Sequence, residues 1–202
     1  MFVQVIQGAV SDAQRVRDHM ETWTRDLAPG ATGWLGSTAG VTADGQAVAV
    51  VRFESEEAAR ANSDRAEQSA WWEGMAALYT GDPVFHESVW VDVDTPGDPN
   101  KAGFVQVMQG RTSDADRARE LMASDPTDWA TYRPDILGTL MVGHDGGAWT
   151  MTIYFTSEAD AREGEKKEPP PEMAKIMEEM AGLGVGETTY FDLTDPWLEG
   201  PG

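Results

Sequence analysis

The stretch Phe2-Val3-Gln4-Val5-Ile6-Gln7-Gly8 returns 102 positions later as Phe104-Val105-Gln106-Val107-Met108-Gln109-Gly110. The same offset relates Ser11-Asp12-Ala13 to Ser113-Asp114-Ala115, and the run from Phe53 to Arg60 to the run from Phe155 to Arg162. A spacing that holds without a gap over about sixty residues indicates an internal repeat. The sequence therefore predicts two similar units of about a hundred residues, each large enough to bury a core.

The repeat also suggests where the units begin and end. We place the first repeat at residues 1–95, a linker at 96–102, the second repeat at 103–194 and a loose tail at 195–202. The linker is predicted from Pro96-Gly97-Asp98-Pro99, because proline and glycine interrupt helices and strands.

Each repeat has a pattern that predicts the element order β-α-β-β-α-β, which is the ferredoxin-like plan. In the first repeat, Ser11 or Asp12 is expected to cap the first helix, and Asp44-Gly45 marks a hairpin turn. Ser55 is expected to cap a second helix that runs to about Tyr79, and residues 85–93 are predicted as the last strand. In the second repeat, prolines at 169–171 should interrupt the second helix.

Alternation along the strands indicates how the sheets are covered. The residues at 47, 49, 51 and 53 share one face of a strand, and those at 48, 50 and 52 share the other. Two helices cover only one face of a four-stranded sheet, and the other face is too apolar to remain in water. We therefore predict an α+β protein of two tandem ferredoxin-like repeats, packed sheet to sheet as an intramolecular α+β barrel. Trp90 and Tyr190 are expected to pack at the seam between the sheets.

Charge and composition exclude several functions. The net charge is −20, divided into −9 over residues 1–101 and −11 over 102–202, so neither half is a basic arm. Nucleic acids and anionic membranes are poor partners for such a surface, although acidity that serves only solubility is the simpler explanation. No stretch is long and apolar enough to span a bilayer, and we expect no signal peptide. The absence of cysteine suits a reducing cytoplasm.

The run Phe53-Glu54-Ser55-Glu56-Glu57-Ala58-Ala59-Arg60-Ala61-Asn62 resembles the strand-to-helix junction of antibiotic-biosynthesis-monooxygenase-like domains, in the dimeric α+β barrel superfamily. That family packs two ferredoxin-like units sheet to sheet, usually as a homodimer, and this chain resembles both protomers in one. The resemblance implies a monomer with a pseudo-dimeric barrel; a weak dimer through helix faces is the alternative.

The resemblance also implies a candidate site. In cofactor-free monooxygenases of the family, an Asn and a Trp near this junction hold a phenolic substrate together with a Tyr or Arg. Asn62 stands at the Asn position, Phe53 stands where Trp is common, and Gly164 replaces the Asn in the second repeat. Asn62 is therefore predicted as a catalytic residue, with an exposed helix residue as the alternative. His86 is the only histidine considered as a base.

Five further residues are candidates for substrate binding, each with a structural alternative. Trp71, Trp72 and Tyr79 would wall a pocket between helix and sheet, although aromatic residues at helical spacing are more often plain core. Gln4 lies inside a strand and either lines a polar cavity or binds neighbouring backbone. Arg52 either holds an anionic substrate or forms an ion pair.

The three histidines do not predict a metal site. His19, His86 and His144 are far apart in sequence and have no ligand-like spacing. The haem enzymes of the superfamily need a histidine in a helical region of the second half, and that half offers only His144, which is predicted to lie exposed in a turn. We therefore expect no cofactor.

Two functions follow from these observations. The first is a cofactor-independent monooxygenase-like enzyme acting on an aromatic or polyketide small molecule. The alternative is a non-enzymatic protein of the same fold that binds a small ligand or serves in a stress response. A continuous pocket beside Asn62 favours the enzyme, whereas a pocket filled by side chains favours the alternative.

Overall fold

The computed structural model describes residues 1–201 and divides into two compact units. The first unit holds residues 1–88 and the C-terminal segment from Asp195, and the second holds residues 89–194. Each unit contains one five-stranded antiparallel sheet with helices packed on one face. The predicted α+β class is confirmed, with two sheets in one chain.

The elements of the first unit follow the predicted order. They are β1 (Phe2–Ala9), α1 (Ala13–Asp26), β2 (Trp34–Val41), β3 (Gln46–Phe53), α2 (Glu56–Ser63), α3 (Ala66–Ala76) and β4 (Val84–Glu87). The second unit is built in the same order behind one additional strand. Its elements are β5 (Trp90–Asp94), β6 (Phe104–Arg111), α4 (Ala115–Ala123), α5 (Trp129–Tyr132), β7 (Ile136–Gly143), β8 (Ala148–Phe155), α6 (Glu158–Gly164), α7 (Pro171–Leu183) and β9 (Thr189–Leu193). A last strand, β10 (Trp197–Glu199), returns to the first sheet.

The two sheets have equivalent strand orders, β10-β2-β3-β1-β4 and β5-β7-β8-β6-β9. When β10 and β5 are left out, the remaining four strands of each sheet have the ferredoxin-like order. The register is equivalent too, since Phe2 pairs with Phe53 and Phe104 pairs with Phe155. These pairings are consistent with tandem ferredoxin-like repeats.

Two predictions about the ends of the repeats are wrong. The single strand expected over residues 85–93 is divided: β4 ends at Glu87 in the first sheet, and β5 begins at Trp90 in the second. The expected loose tail forms β10, which pairs with β2 of the first sheet. The physical reason is that a bare sheet edge exposes unpaired backbone donors and acceptors, and each additional strand covers one such edge.

The helix after β3 differs from the prediction in one respect. Ser55 caps α2 as expected, because its hydroxyl accepts from the backbone N–H of Ala58 at 3.2 Å. However, the helix ends at Ser63 and restarts at Ala66, because Arg65 adopts an extended conformation with φ −69° and ψ 133°. Asn-Ser-Asp at 62–64 favours such a break, since short polar side chains compete with helical hydrogen bonds. The interruption predicted at the three prolines is confirmed, with α7 beginning at Pro171.

The central strands of each sheet are buried on the face without helices as well. On the faces without helices, the side chains of Val5, Val50, Thr150 and Thr152 are each at most 1% exposed. This burial agrees with the expectation that these faces cannot remain in water, while the sheet-to-sheet barrel stays a prediction. Tyr190 is 57% exposed, so its predicted place at a buried seam is wrong.

Candidate functional site

A cavity of about 410 Å³ lies between the helices and the sheet of the first unit. We call it the first cavity. Its floor is formed by alternate residues of the central strands, since these point towards the helices: Gln4 and Ile6 of β1, and Ala47, Ala49, Val51 and Phe53 of β3. Its volume is within the range of small-molecule sites.

Aromatic rings form the wall of the first cavity. The indole N–H of Trp71 donates to the backbone carbonyl of His19 at 3.1 Å, and the His19 ring stacks on Trp71 with centroids 5.0 Å apart. Trp72 packs edge-on against Phe85 at 5.2 Å and lies 6.5 Å from Tyr79. Neighbouring side chains therefore fix these rings in orientation, as a site for a flat ligand requires.

Asn62 presents an oriented amide to the first cavity. The residue is only 7% exposed, and its Oδ1 accepts from Nη1 of Arg65 at 2.9 Å. The same nitrogen of Arg65 donates to the carbonyl of Leu27 at 3.1 Å, which holds the guanidinium in place. Among residues 1–201, Nδ2 of Asn62 has no hydrogen-bond partner, so it is left as the donor of a side chain that lines the cavity. The break between α2 and α3 produces this arrangement, because it places Arg65 beside Asn62.

Three other polar groups line the same cavity. Oε1 of Gln68 accepts from Nε1 of Trp23 at 2.6 Å, and Nε2 of Gln4 donates to Oε1 of Glu87 at 3.3 Å. Burial raises the pKa of the Tyr79 phenol to about 12, so this hydroxyl is protonated at neutral pH and can donate. The arrangement is therefore a mainly apolar cavity with several hydrogen-bond donors.

One carboxylate lines the first cavity within the part of the chain that the structure describes. Glu73 is an exposed residue of α3, one position after Trp72. Because the Tyr79 phenol is protonated, the Glu73 carboxylate is the candidate proton acceptor of this cavity.

The predicted site residues fall into two groups. Asn62, Trp71, Trp72, Tyr79 and Gln4 all line the first cavity. The other two candidates do not line it and lie on the opposite face of the sheet.

Strand pairing gives the reason for that second group. His86 pairs with Val5 and Arg52 pairs with Val3, and paired residues of antiparallel strands share a face. Both valines point away from the helices and are fully buried. Nε of Arg52 is buried without a hydrogen-bond partner among residues 1–201. No geometry links His86 or Arg52 to the first cavity.

Sequence reasoning did not name several residues of the cavity, among them Gln68, Glu73 and Trp197. Gln68 and Glu73 could have been found, since Gln68 precedes Trp72 by four positions and Glu73 follows Ser69 by four, which is the spacing of one helix face. Trp197 carried no such signal, because it reaches the cavity only through the pairing of β10 with β2. Its ring lies under the guanidinium of Arg17, 5.8 Å from the centroid.

The second unit has a cavity of its own, of about 450 Å³, between its sheet and helices α4 and α7. We call it the second cavity. His144 lines it and is 8% exposed, with Nε2 2.9 Å from Oγ1 of Thr150. The prediction that His144 is exposed to solvent is wrong, because the turn after it folds back and β8 returns beside it.

Two further features are absent from the described residues. Within residues 1–201, no group of three or more His, Cys, Asp or Glu side chains is placed to hold a metal ion. No helix in the same range combines the length and the apolar character that crossing a membrane requires.

Comparison with known proteins supports the fold. No family model matches the sequence, and no curated protein is a significant sequence relative. A protein from Lactobacillus acidophilus, provisionally described as a monooxygenase, has a similar structure with a TM-score of 0.73, 12% identity and 98% of each chain covered. An anthrone oxidase-like protein gives a TM-score of 0.69 at 12% identity, over 98% of this chain and 92% of that one. The chain therefore has a ferredoxin-like, monooxygenase-like fold with two sheets in one polypeptide.

The same fold occurs in a protein of another kind. A major regulator of staphylococcal pathogenesis gives a TM-score of 0.52 at 8% identity, over 96% of this chain and 98% of that one. Likenesses at such low identity concern the fold, and one fold hosts several functions. Function must therefore be argued from the cavity.

Proposed function

We propose that the first cavity binds a phenolic compound of two or three fused rings and oxidises it with molecular oxygen, the electrons coming from the substrate itself. One observation carries the proposal: a cavity walled by fixed aromatic rings contains an oriented amide donor, a protonated phenol and a carboxylate. These groups are Asn62, Tyr79 and Glu73. A flat phenol fits the rings, and its oxygen can accept from the donors.

The reaction has the following balance. The substrate loses a proton from a ring carbon or hydroxyl and becomes an electron-rich enolate or phenolate. This anion reduces oxygen, and a carbon–oxygen bond forms at the activated ring carbon. A CH₂ carbon becomes a carbonyl carbon, one oxygen atom stays in the product and the other leaves as water. The four electrons lost by the substrate are those gained by oxygen, so the balance needs no further reductant.

Each residue has a role that its position suggests. Asn62 would donate from Nδ2 to the substrate oxygen on which negative charge develops. Stabilising such a charge with one fixed donor can raise the rate about 100-fold. Tyr79 would donate a second hydrogen bond. Glu73 would accept the proton at the cavity mouth. Trp71 and Trp72 would hold the ring plane. His86 and Arg52 have no part in this scheme, because they lie on the other face of the sheet.

The direct test is oxygen uptake with a panel of dihydroxy-aromatic compounds. We expect Asn62→Ala to lower the rate about 100-fold, since it removes one donor to the developing oxyanion. The matched control is Asn100→Ala, which changes an exposed asparagine in the second unit and should leave the rate unchanged. Glu73→Gln in the same assay should lower the rate while the ligand still quenches tryptophan fluorescence. Equal rates in the wild type and in Asn62→Ala would dismiss this site.

A non-enzymatic ligand-binding protein is the second candidate. Glu73 is exposed, and an acid in water is a weak base towards a phenol or a ring carbon. A protein that shares the fold is described as a regulator of staphylococcal pathogenesis. Saturable binding of the phenol panel without oxygen uptake would favour this candidate over the enzyme.

Location and assembly belong to the same proposal. The lack of cysteine suits a reducing cytoplasm, and the acidic surface is unsuited to nucleic acid. We infer a cytoplasmic monomer with a small molecule as its partner. Light scattering across a range of protein concentrations tests the monomer, and a mass of twice 22.0 kDa at low concentration would contradict it.

A further inference from the structure

The second cavity has a lining that differs in chemistry from the first. Five of the ten methionines of the chain line it, at positions 108, 122, 141, 151 and 180. Two indole rings, Trp90 and Trp149, complete the apolar surface. Methionine is flexible and polarizable, so a methionine-rich cavity adapts to apolar ligands of different shape and favours contacts with aromatic rings.

The polar groups of the second cavity already have partners. Nη1 of Arg111 donates to the carbonyl of Gly146 at 2.9 Å. Arg119 is paired with Asp116, and its guanidinium lies over the Trp90 ring, 5.5 Å from the centroid. Nε2 of His144 is within hydrogen-bond distance of Thr150. No carboxylate is among the lining residues that the structure describes, and within residues 1–201 Arg111 has its hydrogen bond to Gly146 but no ion pair, so the cavity carries positive charge and offers a ligand no acid.

The hydrogen-bonding groups of the first cavity have no counterpart here. At the position equivalent to Asn62 stands Gly164, where a Cβ would collide with the guanidinium of Arg133. Arg133 forms an ion pair with Asp135 at 2.7 Å, and both side chains are 10% exposed. The backbone bridge between Val10 and Tyr79 recurs as a bridge between Thr112 and Gly184, so a glycine replaces the phenol of Tyr79. An ion pair and two glycines therefore stand where the first unit has an amide and a phenol.

We propose that the second cavity is a separate binding site for a flat aromatic compound of about two rings that carries no positive charge, and that it binds this ligand without reacting with it. The volume of about 450 Å³ admits such a molecule. The lining supplies dispersion contacts from thioethers and indoles. A cationic ligand is disfavoured, because its charge would lose water beside two arginines and no carboxylate.

The test uses protein labelled with ¹³C at the methionine methyl groups and titrated with indole, a neutral two-ring probe. We expect saturable shifts of the five methionine signals of the second cavity, which single Met→Leu substitutions assign. Met1 and Met177, which are 55% and 51% exposed and outside both cavities, are internal controls that should not shift. Met20 and Met75 report separately on the first cavity. Titration with tryptamine, the cationic analogue, should give weaker binding.

Variants that fill the second cavity test whether the methionine shifts come from a ligand bound there. Ala118→Trp places an indole in the second cavity, and Met180→Trp does so from a partly exposed position of α7 with less risk to folding. We expect each to abolish the shifts of the second cavity while the Met20 and Met75 signals keep their native positions. Shifts confined to Met20 and Met75, or no saturable shift in any methionine, would overturn the proposal. Neither result depends on oxygen uptake in the first cavity.

Discussion

The repeated stretch ends in a glycine in both units, Gly8 and Gly110, and each glycine lies under an aromatic ring. In the first unit, a Cβ at Gly8 would lie 2.8 Å from Cδ1 of Tyr79, which comes from the end of the helical region. In the second unit, the corresponding Gly110 is covered by the ring of Trp149 on the neighbouring strand. The aromatic ring over the glycine comes from a different position in each unit. In both units, however, the ring lies so close to the backbone that only glycine fits beneath it.

Tyr79 provides a prediction about pH. Its pKa is raised by burial from 10 to about 12, so folding favours the neutral phenol. The corresponding stability is fully present below pH 10 and is lost as the pH rises from about 10 towards 12. We expect absorbance at 295 nm to show an ionisation near pH 12, and Tyr79→Phe to reduce that late step.

The matched control for this titration is Tyr190→Phe, because Tyr190 is 57% exposed. That variant should keep the late step. If Tyr79→Phe leaves the absorbance change near pH 12 as it is in the wild type, the buried environment of Tyr79 is not maintained in solution.

The short strand β10 contributes directly to the candidate site. Its three residues pair with Ser37–Ala39 of β2 and bring Trp197 to the rim of the first cavity. Burial raises the pKa of Glu199, so the charged carboxylate opposes the docking of this strand at neutral pH. The strand is therefore held by backbone hydrogen bonds and the Trp197 ring rather than by its charge.

Removing residues 195–202 should expose the edge of β2. We expect hydrogen exchange of the β2 amides to accelerate and the free energy of unfolding to fall by about 1–3 kcal/mol, because an edge strand and a partly buried indole are lost. Exchange followed by mass spectrometry measures this. Removal of residues 200–202 alone is the control, and β7 of the second unit should be unaffected in both. Unchanged exchange in β2 would show that β10 does not pair there in solution.

At the scale of the whole molecule, the chain exchanges strands between its halves. The strand that follows β4 joins the second sheet, and the strand that follows β9 joins the first. A cut at the predicted linker would therefore leave one fragment with β5 but without β7, and the other with β10 but without β2. The repeats of the sequence and the compact units of the structure are not the same segments.

Two pairs of co-expressed fragments can test this exchange. Co-expressed fragments 1–102 and 103–202 retain both exchanged strands, whereas 1–88 and 103–194 lack them. We expect the longer pair to have the higher urea midpoint, since each fragment contributes a strand to the sheet of the other. Equal midpoints for the two pairs would contradict a stabilising exchange.

Much of the architecture was predictable because it depends on local signals. The caps at Asp12 and Ser55, the hairpin at Asp44-Gly45 and the interruption at the three prolines act within a few residues of where they occur. The aromatic wall of the first cavity was predictable in part, since Trp71 and Trp72 lie in α3 and Tyr79 follows three residues after its end. Arg65 was not, because its effect on Asn62 arises from a helix break and from a contact with Leu27, 38 positions away in sequence.

The sequence by itself determined the duplication pattern, the α+β class, the order of elements and the face on which each strand residue lies, because periodicity and capping are properties of neighbouring residues. Only the tertiary structure decided that β5 and β10 change sheets, that His86 and Arg52 lie away from the first cavity, and that Trp197 lies on it. These outcomes depend on which backbone edges need covering and on which register the strands adopt. Both are settled between residues far apart in the chain, where no local pattern records them.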